Sequence, residues 1–136
     1  MKYKVIDVAG DVGIRAEGAA LEECFINSAL GLYSLITDLT QIEPIEEIEI
    51  IINEDNLENM LVSFLNELIF KFDTYGFLGK AISVEIKDNY LKAKIKGEKF
   101  NPEKHERKLL VKAATYHNLV LKQENSFWIA EIIFDI

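Results

Sequence analysis

Asp7 and Asp11 stand four positions apart in V5-I-D-V-A-G-D-V-G-I-R15, with a glycine on each side of the second. Carboxylates are hard oxygen donors, and several of them brought within a few ångströms either raise a pKa or attract a cation. Asp and Gly are also ordinary hairpin material, and a D-x-x-x-D pair beside glycine is by itself far more often turn chemistry than a metal site. The other end of the chain offers the same atoms. E131-I-I-F-D-I136 is an apolar strand that closes on Asp135 and the free carboxylate of Ile136. If this last strand pairs beside the first hairpin, Asp11, Asp135 and the Ile136 carboxylate converge, with Asp7 as a further candidate. Calcium, magnesium and manganese take oxygen ligands of this kind.

Other chemistry is sparse. The sequence has no nucleophile elbow, no Gly-rich phosphate loop and no Cys or His spacing suited to zinc. Its two histidines are His105, in a polar loop, and His117, at the start of a strand. Both read as surface or hydrogen-bonded side chains, and the chain is not expected to be an enzyme. A metal-dependent hydrolase using the same aspartates would need a general base, and only these two histidines are offered for it. Cys24, the single cysteine, lies among apolar neighbours in a helical pattern and reads as a buried structural thiol.

The charge balance bears on partners. With 23 acidic and 15 basic side chains the formal net charge is -8, which repels phosphate and opposes direct nucleic-acid binding. A basic protein surface or a cation suits it better. The acidic stretch Ile42 to Glu58 contrasts with the lysines of K92-A-K-I-K96 and K104-H-E-R-K108, a second region that reads as strand faces and a loop or as a docking face. M-K-Y-K-V-I-D has no apolar run of signal-peptide length before its first charge, and no segment approaches the roughly 18 apolar residues of a membrane span. A cytoplasmic protein is expected.

Positioning these groups falls to a single domain over residues 1–136, since no repeat or Pro/Gly/Ser-rich linker divides the chain. Tyr3 to Val8 and Val12 to Glu17 read as strands joined through A9-G-D11. The apolar residues Leu21, Phe25, Ala29, Leu32, Ile36 and Leu39 have helical spacing, and I45-E-E-I-E-I-I-I52 alternates as a half-buried strand. D55-N-L-E58 has capping-box spacing before a second helix whose wide apolar arc includes Phe64, Leu65, Leu68, Ile69, Phe70 and Phe72. The remainder reads as strands at Ala81 to Lys87, Tyr90 to Lys96, Leu109 to Ala114, His117 to Gln123 and Phe127 to Asp135. Strict alternation of Leu91, Ala93 and Ile95 with three lysines marks an antiparallel sheet with one wet face. The expected class is α+β, a mainly antiparallel sheet with two amphipathic helices on one face.

Taken together, V5-I-D-V-A-G-D-V-G-I-R-A-E-G18, L21-E-E-C-F25, M60-L-V-S-F-L-N-E-L-I-F70, F72-D-T-Y-G-F77, G97-E-K-F100, His105, V111-K-A-A-T-Y-H117 and I133-F-D-I136 resemble the archease family over essentially the whole chain. Archeases assist the RtcB-type RNA ligase of tRNA splicing and RNA repair. The resemblance implies that this chain promotes guanylylation of the ligase by GTP and its repeated turnover, without being the ligase. It also implies a divalent ion, calcium first with manganese or magnesium as alternatives, held by Asp11, Asp135 and Ile136. By the same resemblance, Lys112 matches a position that matters for assistance. The family turn is typically D/E-H-T-A-D-x-G, whereas Val8, Ala9 and Gly10 stand here for His, Thr and Ala, which removes two polar groups beside the implied ion. A different reading of the residues is a chaperone-like binding module that exposes part of the apolar second helix.

Overall fold

The computed structural model describes residues 2–136. Strands β1 (Tyr3–Val8) and β2 (Asp11–Gly18) form a hairpin whose loop is Ala9 and Gly10, since Val8 is opposite Asp11. Both loop residues have positive φ, 24° and 91°, the sense of a two-residue turn that follows the strand twist. Glycine accepts this at no steric cost, whereas Ala9 adopts it against its Cβ. Helix α1 (Leu21–Ile36) follows, then a 3-10 turn (Leu39–Gln41), β3 (Glu46–Asn53), helix α2 (Leu57–Tyr75), β4 (Phe77–Lys87), β5 (Tyr90–Lys99), the two-residue β6 (Ala113–Ala114), β7 (Val120–Glu124) and β8 (Phe127–Asp135).

Every strand pairing is antiparallel and the class is α+β, but the strands divide between two sheets. One runs β1-β2-β8-β6, with β7 also on β8; the other runs β3-β5-β4. Alternation assigns each strand a wet face and a dry face but not its neighbours, so this division was invisible in the periodicity. The dry faces of both sheets enclose the helices. Helix α1 lies against β2 and β4, so close that Gly31 meets Ile14 and Gly79 meets the Tyr33 ring. From α2, Met60, Leu61, Phe64, Leu65, Leu68, Ile69 and Phe72 enter the core, each such side chain contributing about 1.5–3 kcal/mol on full burial. Phe70 does not follow them. It is 50% exposed and makes an edge contact with Tyr75, because it lies off the arc set by three- and four-residue steps.

The element ends depart from the expected ones for local reasons. Helix α1 stops at Ile36, three residues before Leu39, where Asp38 accepts from the Thr40 amide and hydroxyl and starts the 3-10 turn. Asn56, not Asp55, caps α2 by accepting from the Asn59 amide at 2.8 Å. At its other end Gly76, with φ 73°, turns the chain directly into β4, which therefore begins at Phe77 rather than Ala81. A bulge between Gly79 and Ala81 broke the alternation that would have revealed those residues. No helix among the described residues is long and apolar enough to cross a membrane. Cys24 is buried, and burial pushes its thiol up to about 12.

A polar knot closes the end of β5. Glu98 is buried, and its carboxylate accepts from Lys104 Nζ at 2.8 Å, the Glu43 amide at 2.7 Å and His105 Nε2 at 3.1 Å. The Asn101 amide donates to His105 Nδ1 at 2.9 Å, which assigns the ring proton to Nε2. Desolvation pushes the Glu98 carboxyl up, but the bonds from Lys104, Glu43 and His105 prevail and hold it at about 2, below the ordinary 4.5. A depressed native pKa gives stability that is present above pH 4.5 and lost as pH falls through about 2, on the order of 3 kcal/mol in full. Urea unfolding of wild type and Glu98→Gln should therefore differ clearly at pH 7 and converge near pH 2. A difference that does not change with pH would contradict the assignment.

Candidate metal centre

The β2–β8 ladder sets the positions of the acidic groups. Val12 is opposite Phe134, Ile14 opposite Ile132 and Ala16 opposite Ala130, and all six side chains are buried. The alternate residues turn to the other face, where Arg15 is opposite Glu131 and forms an ion pair with it. The β2–β8 ladder ends at the Val12 and Phe134 pair, and Asp11 and Asp135 are the next residues on the two strands, both exposed, so continuing the register by one step brings them abreast on that outer face. Neighbouring positions in an antiparallel ladder have Cα atoms about 5 Å apart. On the outer sides of this pair, Val8 is opposite Asp11 and Ala113 is opposite Asp135. Four strands thus end abreast with two carboxylates at the centre.

Two like charges side by side are unfavourable in isolation. Arg15 answers Glu131 and, at 3.7 Å, Glu17, so its charge is committed four residues along the strand. Among the described residues, no three His, Cys, Asp or Glu side chains gather as a metal cluster. Ile136, the residue after Asp135, is exposed at the same end of the ladder. An all-oxygen set of this kind fits calcium, magnesium or manganese rather than zinc or copper.

The other expected residues separate. Asp7 is opposite Val12, so its side chain leaves from the face opposite to Asp11. It does not join the pair, because four residues that span a two-residue turn do not share a face as they would on one strand. The amide of Lys112 donates to the Asp135 carbonyl at 2.8 Å, which brings the lysine main chain to the acidic row, and its side chain is exposed. His105 is buried in the Glu98 knot with both ring nitrogens engaged, so it is a structural residue and is not available as a base for the hydrolase reading. His117 does not begin a strand. It is exposed in the turn from Tyr116 to Leu119 that precedes β7, and its amide bonds back to Thr115 Oγ1. Strand β6 is likewise two residues long rather than running from Leu109.

Sequence reasoning missed the residues that fasten this corner. Thr115 bonds the Ile133 carbonyl through both its amide, at 3.0 Å, and its hydroxyl, at 2.8 Å. Asn66 of α2 reaches Ala114 across 48 residues of sequence. An interior helix Asn carries no periodic signal, and only its separation from the apolar arc hinted at a polar task.

Comparison with known proteins supports the same assembly of elements. Residues 3–136 match the Archease protein family (MTH1598/TM1083). The protein archease of Sulfolobus acidocaldarius is 39% identical over 137 residues, covering 99% of both chains. That of Thermococcus kodakarensis is 39% identical over 140 residues, again with 99% of both covered. The solution structure of Methanobacterium thermoautotrophicum protein 1598 superposes with a TM-score of 0.85 at 33% identity, covering 99% of each chain. A crystal structure of an archease from Thermotoga maritima, described as a possible chaperone, shares the fold with a TM-score of 0.62 at 20% identity over 98% of this chain and 96% of that one. The chain belongs to the archease family.

Proposed function

We propose that this protein is the assistant of an RtcB-type RNA ligase, raising the ligase's guanylylation by GTP and its repeated turnover in tRNA splicing or RNA repair. Family membership supports this role, and the observation that supports it at the residue level is that the β2–β8 ladder ends one residue short of Asp11 on one strand and of Asp135 on the other, both exposed. The whole chain acts as one domain in the cytoplasm, and its own part is to bind and present groups rather than to catalyse a reaction.

Asp11, Asp135 and the carboxylate of Ile136 would hold a divalent cation, calcium first and manganese or magnesium otherwise. When bound, the ion supplies a concentrated positive charge for oxygen anions. The residues themselves do the rest. The β2–β8 ladder keeps the two aspartates adjacent, and their position at the edge of the fold lets them enter a partner's cleft. Lys112, beside this row, offers an ammonium to a phosphate or to a partner carboxylate. Contact with RNA passes through the ligase, since a net charge of -8 repels a phosphodiester chain. Val8 and Ala9, where the family pattern has His and Thr, leave the ion to oxygen donors alone.

The test is guanylylation of the ligase from the same organism, with and without this protein. Wild type should accelerate it, and Asp11→Ala and Asp135→Ala should each reduce that acceleration at least tenfold while keeping the fold. Aspartate variants that stimulate at the wild-type rate would overturn the metal reading. A wild-type protein without effect on the ligase would overturn the assistant role as a whole.

A further inference from the structure

The shortest strand in the fold carries an unusual fastening. Ala114 is 5% exposed, so its main-chain N–H and C=O need partners within the protein. Neither is used in the contacts that join its neighbours to β8, where Lys112 bonds the Asp135 carbonyl and Thr115 bonds that of Ile133. Both turn instead toward α2 and meet one side chain. The Ala114 amide donates to Asn66 Oδ1 at 2.8 Å, and Asn66 Nδ2 donates to the Ala114 carbonyl at 3.2 Å. The carboxamide takes the place of a neighbouring strand residue, satisfying donor and acceptor together. Two helical turns earlier, on the same face of α2, Asn59 Oδ1 accepts from the Tyr116 hydroxyl at 2.9 Å.

The segment from Lys112 to Tyr116 is thereby a strap between α2 and β8, and one end of it is the lysine next to Asp135. A two-residue strand has little ladder of its own, so its placement depends on what grips its other edge. We propose that Asn66 is a positioning residue for the assistant function: its two-bond hold on Ala114 fixes where Lys112 stands relative to the acidic pair. This rests on the reading of Lys112 given above. The acidic pair itself is set by the β2–β8 ladder and does not need Asn66.

The experiment compares wild type with Asn66→Ala, which removes both bonds, Asn66→Asp, which keeps the acceptor for the Ala114 amide, and Lys112→Ala. Amide hydrogen exchange and ligase guanylylation are measured on the full chain. In Asn66→Ala, exchange at Ala114 and Thr115 should rise at least tenfold and stimulation should fall at least fivefold, with calcium affinity unchanged. Asn66→Asp should retain protection at Ala114 and most of the stimulation, and it serves as the informative variant if Asn66→Ala does not fold. Unchanged exchange in Asn66→Ala, or full stimulation by it while Lys112→Ala is impaired, would overturn the proposal. Loss of calcium affinity together with stimulation would also overturn it, since that would make Asn66 a support of the whole corner. If Lys112→Ala stimulates fully, the reading of the lysine fails, whereas the exchange data still decide the hold on Ala114.

Discussion

The antiparallel ladder between the second strand and the last one is the constraint on which everything else depends. It joins residues more than a hundred positions apart, and burial of Val12, Ile14, Ala16, Ala130, Ile132 and Phe134 on one face fixes its register. A slip of β8 by one residue would turn Ala130, Ile132 and Phe134 off the core face and bring Asp135 onto it. The hydrophobic term that closes the core is thus the same term that makes two carboxylates neighbours. Their mutual repulsion is small against the burial of six apolar side chains, which explains how the fold tolerates the pair.

Local features then serve this arrangement. The two-residue turn at Ala9 and Gly10 returns the chain so tightly that Asp11 is already the first residue of β2. Ala9, with φ 24°, carries backbone strain in that turn. The far side of the corner is held by α2, whose apolar arc enters the core while Asn59 and Asn66 address the strap. One helix thereby links the packing of the core to the placement of Lys112. The lysines that looked like a second docking region divide in two. Lys92, Lys94 and Lys96 lie in β5 opposite the acidic β3, and Lys104 is committed to Glu98 and Glu43.

Much of this was legible before any coordinates. Alternation in I45-E-E-I-E-I-I-I52 and in Leu91 to Lys96 marked strands and an antiparallel sheet, and the three- and four-residue steps in α1 and α2 marked helices. The pairing of the two chain ends was legible as a possibility from the acidic residues and as an expectation from the family resemblance. What was not legible was long-range. Neighbour choice among strands split them into two sheets, the Gly79 bulge hid the start of β4, and the face of Asp7 depended on a turn of two residues rather than three. That His105 is a hydrogen-bonded side chain was legible, but its partners, Glu98 and the Asn101 amide, were not, because they meet it only after the loop folds back.

The central claim is that oxygens from both extremities of the chain share one divalent cation. A calcium titration followed by backbone amide shifts tests it most directly. Saturable shifts are expected, confined to Asp11, Asp135, Ile136 and the adjoining Lys112 and Ala113, all with one dissociation constant and all abolished by Asp11→Asn. Shifts at only one of the two extremities, different constants at the two, or saturation elsewhere on the surface would contradict it.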